Sequence, residues 1–153
     1  MIEVLKSIPM VAGKSLNLHA ALSSSRVNGP GARMVVFFQG CLKRCAGCFN
    51  PETHPVEKRE PYTVEEVFER HLIPGVEGMT VSGGEPFLQS AVLCGLLKSA
   101  RLKKSLTTVV YTGFTLEEIS ACPESARCLE YTDVLVDGGF EADKIEKTLL
   151  ARG

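Results

Sequence analysis

The sequence predicts one α/β domain with parallel strands, on three observations. Short β-branched and aromatic runs alternate with segments of helical periodicity, a pattern that needs crossovers between parallel strands. The loops after those runs carry glycine or aspartate, and such sheets bind ligands at that rim. The length, 153 residues with 44% apolar, suffices for one buried core.

Residues 1–25 form an N-terminal extension, either an extra strand or a helix. Lys6, Ser7, Lys14, Asn17 and His19 interrupt its apolar residues. No sustained apolar core precedes a small-residue cleavage site, so neither a signal peptide nor a membrane-spanning helix is expected. The expected location is cytoplasmic, where thiols stay reduced and disulfides are disfavoured. Seventeen basic against eighteen acidic residues leave a net charge of −1, with no broad positive field for nucleic acid. The remaining residues, 26–153, form the single core domain.

Arg26-Val-Asn-Gly-Pro-Gly31 is dense in turn formers and reads as a loop. Met34-Val-Val-Phe-Phe38 then has the length and residue types of a buried strand. A cysteine-rich loop follows over 40–56. Thr63 to Leu72 reads as a helix, with Thr63 and Glu66 as its capping box and Val64, Val67, Phe68 and Leu72 as its apolar stripe. Met79 to Ser82 is a second strand closed by Gly83-Gly84, and 87–103 a second helix ending in basic residues. Thr107 to Tyr111 is a third strand. Thr115 and Glu118 open a short helix with another capping box. Thr132 to Val136 is a fourth strand, and 141–151 a last helix. The loops at 40–50, 83–86, 112–113 and 137–139 all fall at strand carboxyl ends and converge on one rim.

Cys41, Cys45 and Cys48 form C-x3-C-x2-C. Three thiolates in eight residues can wrap one metal centre. Zinc sites and electron-carrier clusters normally take four ligands. Three leave one iron of a cluster open, which a directly binding substrate needs. The small Ala46-Gly47 lets the loop curl. A Cys3His zinc site completed by His54 has the right residues too, and spacing alone does not separate zinc from iron–sulfur. Cys94, in an apolar helix, reads as a core residue. Cys122 and Cys128 read as a redox pair or as packed thiols.

Taken together these residues resemble the radical SAM superfamily, through C-x3-C-x2-C after one strand and Ser82-Gly-Gly-Glu-Pro86 after the next. The likeness is closer to its small glycyl-radical-activating branch, the activators of anaerobic ribonucleoside-triphosphate reductase. Val27-Asn-Gly-Pro-Gly31, Gln39-Gly-Cys41, Cys48-Phe-Asn50, Tyr111-Thr-Gly113 and Asp133-Val-Leu-Val-Asp-Gly138 carry it, over residues 26 to 140. A lone C-x3-C-x2-C is unspecific; the ordered set of five is not.

The resemblance implies a partial, open TIM-like β/α barrel of radical SAM type. It implies a 4Fe–4S cluster on Cys41, Cys45 and Cys48, with S-adenosylmethionine chelating the fourth iron. Reductive cleavage would give a 5′-deoxyadenosyl radical that takes hydrogen from a glycine of a partner enzyme. The implied partners are a glycyl radical enzyme, anaerobic ribonucleotide reductase first, and an electron donor such as flavodoxin or ferredoxin. Neither nucleic acid nor membrane is implied. The implied cofactor contacts are Gly47, Cys48, Phe49, Gly83, Gly84 and Glu85, with no catalytic residue beyond the cluster ligands.

The residues suit those roles. Gly83 and Gly84 let backbone approach a ligand. Glu85 can accept hydrogen bonds from an ammonium, and Phe49 offers a face to adenine. Lys43 and Arg44 favour an anionic cluster or an acidic donor, or are solvated loop charges. Asp137 is a polar residue near ligand or a turn former. Gly47 replaces the aromatic residue common before the third cysteine in the superfamily. The resemblance also implies a polar segment and a last strand beyond Arg152-Gly153. Two other readings remain: a radical SAM enzyme acting on a small molecule or peptide, and a metal-binding module without radical chemistry. Against the module stands the second, distant loop Gly83–Pro86. A hydrolase is excluded because His19, His54 and His71 have no nucleophile or carboxylate partner in a recognisable motif.

Overall fold

A computed structural model describes residues 15–145. Six strands form one sheet, in the order β3-β1-β2-β4-β5-β6. They are β1 (Leu16–Ser25), β2 (Arg33–Phe38), β3 (Pro61–Tyr62), β4 (Gly78–Gly83), β5 (Thr107–Tyr111) and β6 (Val134–Val136). The helices are α1 (Val64–His71), α2 (Ser90–Leu102), α3 (Leu116–Ser120) and α4 (Pro123–Leu129). Strands β2, β4, β5 and β6 are parallel, as expected. The sheet as a whole is mixed, which corrects the expectation of parallel strands throughout. The antiparallel β1 pairs with β2 because residues 26–32 between them are too few for a crossover. On its other side β1 pairs antiparallel with the two-residue β3.

The extension therefore supplies a strand over residues 16–25, and residues 1–14 lie outside the described residues. Residues 146–151 of the expected last helix also lie outside them; the described part ends in a 3-10 turn, Ala142–Lys144. Strand β6 begins two residues late. The Asp133 carboxylate accepts from Thr108 N at 2.8 Å, and Asp133 N donates to both Thr108 O at 3.1 Å and Thr108 Oγ1 at 3.0 Å, so a side chain takes the place of one ladder acceptor there. Among the described residues no helix is long and apolar enough to cross a membrane.

Alternation along the strands sorts two faces. Met34, Val36, Phe38, Met79, Val81 and Val110 are buried against α1 and α2 through Val67, Phe68, Leu93, Leu96 and Leu97. The opposite face carries Val35, Phe37, Thr80, Ser82, Val109 and Tyr111. Parallel register places Val35 beside Thr80, Phe37 beside Ser82, and Tyr111 beside Val136. Helix α1 starts as expected: Thr63 accepts from Glu66 N at 3.1 Å and Glu66 accepts from Thr63 N at 2.8 Å. Those bonds hold the Glu66 carboxyl below its ordinary pKa. Thr63→Ala is expected to cost about 1 kcal/mol, read as a lower denaturant midpoint with unchanged slope.

The amino ends of the parallel strands are tied by Arg33, which is 1% exposed. Its guanidinium donates to Thr80 Oγ1 at 2.8 Å, Pro30 O at 3.1 Å, Thr107 Oγ1 at 3.0 Å, Met79 O at 2.9 Å and Thr107 O at 3.0 Å. Burial lowers its pKa, opposed by the more distant charge of Asp133. Gly78 makes room for it, since a Cβ there would collide with the guanidinium. The Thr80 hydroxyl passes the tie on, donating to Asn28 O at 2.7 Å. The turn-rich loop is thereby held against the face that carries Val35 and Thr80.

Candidate functional site

At the opposite, carboxyl ends of β2, β4, β5 and β6 lies a cleft of about 540 Å³. Phe37, Ser82, Tyr111 and Val136, side by side in the sheet, line it from below. All three clustered cysteines line it, with Phe49, His54, Gly83, Gly84 and Glu85. The expected convergence of loops on one rim is what the fold produces.

The cysteine loop is pinned at its ends by backbone bonds. Gly40 N donates to Thr53 O at 2.7 Å, Cys41 N to His54 O at 3.0 Å, and Cys48 N to Cys45 O at 3.2 Å. Two left-handed residues curl it, Arg44 at φ 47° and Gly47 at φ 73°. Burial pushes the Cys41 thiol above its ordinary pKa, while the N–H groups of Lys43 and Arg44 pull it down. Gly47 is not among the cleft-lining residues; its missing side chain would point at Ala142 Cβ, 3.3 Å away, and the Phe140 ring. Phe49 is 71% exposed and meets Phe140 edge-on, with ring centroids 4.9 Å apart.

The glycines after β4 answer to a constraint the sequence did not reveal. Gly83 adopts φ 103°, and a Cβ on it would strike the Phe38 backbone. A Cβ on Gly84 would strike the Gly40 carbonyl. Both are needed first for two chain segments to touch. Gly84 N donates to Phe38 O and Glu85 N to Gly40 O, each at 2.8 Å. The Ser82–Glu85 loop and the root of the cysteine loop are thus one unit.

Glu85 is 1% exposed and already engaged. One carboxylate oxygen accepts from Phe87 N at 3.1 Å and Thr112 Oγ1 at 2.8 Å; the other accepts from Gly113 N at 2.8 Å. Burial pushes its carboxyl up to about 7, against the pull of these donors and of Lys43. Its present bonds fasten the loop after β4 to the loop after β5.

The remaining expectations sort by position. The Asp137 carboxylate lines the cleft and accepts from Leu116 N at 2.8 Å, capping α3. Cys94 is half-buried, and Cys128 is buried with its thiol 3.4 Å from Ser90 O. Burial raises the pKa of both. Cys122 stands just before α4, outside the cleft lining. Asn28, Lys43, Tyr111 and Thr112 line the cleft and were not singled out as contacts, although all but Lys43 stand in the quoted motifs. Among the described residues no three Cys, His, Asp or Glu side chains converge on a point as ligands of one ion must. The three cysteines that line the cleft are the soft donor set a cluster takes, one thiolate to each of three irons.

The family described as a 4Fe-4S single cluster domain matches residues 27–153. An anaerobic ribonucleoside-triphosphate reductase-activating protein from Pasteurella multocida is 34% identical over 139 residues, 83% of this chain and 85% of that protein. The protein of that name from Escherichia coli K12 is 30% identical over 148 residues, 90% of this chain and 94% of its own. A pyruvate formate-lyase-activating enzyme from Clostridium pasteurianum is 34% identical over 154 aligned residues, 94% of this chain and 60% of that enzyme. The chain belongs to the 4Fe-4S single cluster domain family and is an enzyme of its radical SAM activating branch.

Proposed function

We propose that this enzyme cleaves S-adenosylmethionine reductively and installs a glycyl radical on a partner enzyme, anaerobic ribonucleoside-triphosphate reductase. The carrying observation is that Cys41, Cys45 and Cys48 share one cleft with Gly83, Gly84 and Glu85. The names of relatives matched along most of their length support the choice of partner. When bound, the cluster and S-adenosylmethionine supply an electron and a 5′-deoxyadenosyl radical that takes hydrogen from a glycine. The chain's own residues do the rest. Cys41, Cys45 and Cys48 hold the cluster, three soft ligands that leave one iron open. The carbonyls of Gly83 and Gly84 take the ligand ammonium, and Glu85, engaged by Phe87 N, Thr112 Oγ1 and Gly113 N, holds their loop in place at the cleft. Phe49 and Cys48, which line the cleft, would border the adenine, and the left-handed Gly47 turns the loop that carries them. Phe37, Tyr111 and Val136 exclude water from beneath.

The fold proposed is an open TIM-like barrel, supported by the parallel run β2-β4-β5-β6 with its site at the carboxyl rim. Residues 1–25 extend a core domain over 26–153. The location is cytoplasmic, and the electron comes from a flavodoxin or ferredoxin. Anaerobic reconstitution with iron and sulfide, reduction and addition of S-adenosylmethionine is expected to yield 5′-deoxyadenosine. Cys41→Ala, Cys45→Ala and Cys48→Ala are each expected to abolish it. A glycyl-radical signal by electron paramagnetic resonance is expected on mixing with the reductase. A colourless protein that makes no nucleoside would overturn the reading.

A further inference from the structure

We propose that Lys43 sets the reduction potential of the cluster, its positive charge held at the cleft by a stem pinned across to the loop after β5; this rests on the function proposed above. The side chains on the cysteine loop are distributed against hydrophobic expectation. Leu42 is 48% exposed, while its cationic neighbour Lys43 is half-buried and lines the cleft. A flexible lysine ordinarily keeps its rotamer freedom in water. Here three surroundings fix it. Its Cδ lies 2.7 Å from where a Gly113 Cβ would stand, so the missing side chain makes room for the lysine stem. Its ammonium sits 4.7 Å from the Phe114 ring centroid, on the ring face. Its field reaches the buried Glu85 carboxylate. The left-handed Arg44, φ 47°, turns the chain directly after it.

Lys43 stands two residues from Cys41 and two from Cys45, so its Cα lies within about 7 Å of each of theirs. Its ammonium, held over the Phe114 ring at the cleft the three cysteines line, is a fixed cation that favours the reduced cluster, which carries one more electron. Partial burial weakens the screening that solvent and salt would impose. Net charge around a cluster is one of the determinants of its potential. The electron itself comes from a low-potential one-electron donor, and Lys43 shifts only the equilibrium of that transfer.

The test is a redox titration of the anaerobically reconstituted full chain, followed by the electron paramagnetic resonance of the reduced cluster. Lys43→Met keeps the stem and removes the charge. It is expected to lower the ratio of reduced to oxidised cluster at fixed poise by roughly three- to tenfold, tenfold corresponding to about 59 mV for one electron. Lys43→Gln is expected to do the same, so poor loading of one variant leaves the other to decide. Lys43→Glu is expected to fall further, and Lys43→Arg to stay within about twofold of the wild type. A merely structural lysine would make the arginine and methionine variants equally different from the wild type, or equally like it. Either result, on a cluster that still cleaves S-adenosylmethionine, overturns the role of Lys43 and leaves the proposed function standing. A wild type that assembles no cluster overturns both.

Discussion

Replacing Arg33 with alanine is expected to cost about 4 kcal/mol of folding stability and to lower the melting temperature by roughly 10 °C. The side chain spends five N–H bonds on the loop before β2 and on β4 and β5. Alanine leaves a cavity and five acceptors short of a donor. A buried cation also has a desolvation cost, visible in its lowered pKa, and among the described residues no carboxylate pairs with it directly. Losing that cost returns part of what the bonds contributed. Arg33→Met, which keeps most of the volume, is therefore expected to cost less, about 2 kcal/mol. Lysine cannot copy the planar fork and falls between the wild type and alanine. Equilibrium denaturation decides it. A methionine variant within about 0.5 kcal/mol of the wild type would mean the bonds only offset the burial of charge.

The second large effect is expected at Glu85, where alanine removes three accepted bonds at once and costs about 3 kcal/mol. Glu85→Gln keeps the shape but places an amide N–H₂ against an N–H or O–H donor. It is expected to lose about 1–2 kcal/mol and to unfasten the loop after β5. The two proteins should also differ in pH dependence. The ordinary value of the carboxyl is 4.5, and burial lifts it to about 7 in the folded protein. Between these values the folded state holds a proton that the unfolded chain has released. Wild-type stability relative to Glu85→Gln therefore falls as pH rises through that window, by up to about 3 kcal/mol, and levels off above it. Parallel stability profiles for the two proteins would show that Glu85 does not titrate there.

What was legible in the sequence was local or carried by motif. The capping boxes at Thr63 and Thr115 close within four residues, and both form. The parallel strands were legible because they read as short β-branched and aromatic runs closed by turn formers. Strand β1 was not, since past Leu16 and Leu18 it runs Ala-Ala-Leu-Ser-Ser-Ser and faces solvent along much of its length. Its pairing depends on partners that no local pattern announces. Arg33 carried no signal in the sequence, because its acceptors come from residues up to 74 positions away. The site loops were legible as a set. Their internal wiring was not: Glu85 was read as waiting for a ligand, and the structure shows it already binding the loop after β5.

The two outermost strands of the sheet are also its shortest. Strand β3 has two residues and opens on Pro61, which has no N–H to offer; β6 has three. An exposed sheet edge is a template on which another chain can add a strand, the first step of fibrous association. Strand β6 is such a stub, but β3 pairs only with Leu16 and Asn17, so among the described residues the outer side of β1 from Leu18 to Ser25 has no strand on it. The fold thus guards one side of the sheet by strand length and leaves the other, along β1, as the side with room for a further strand.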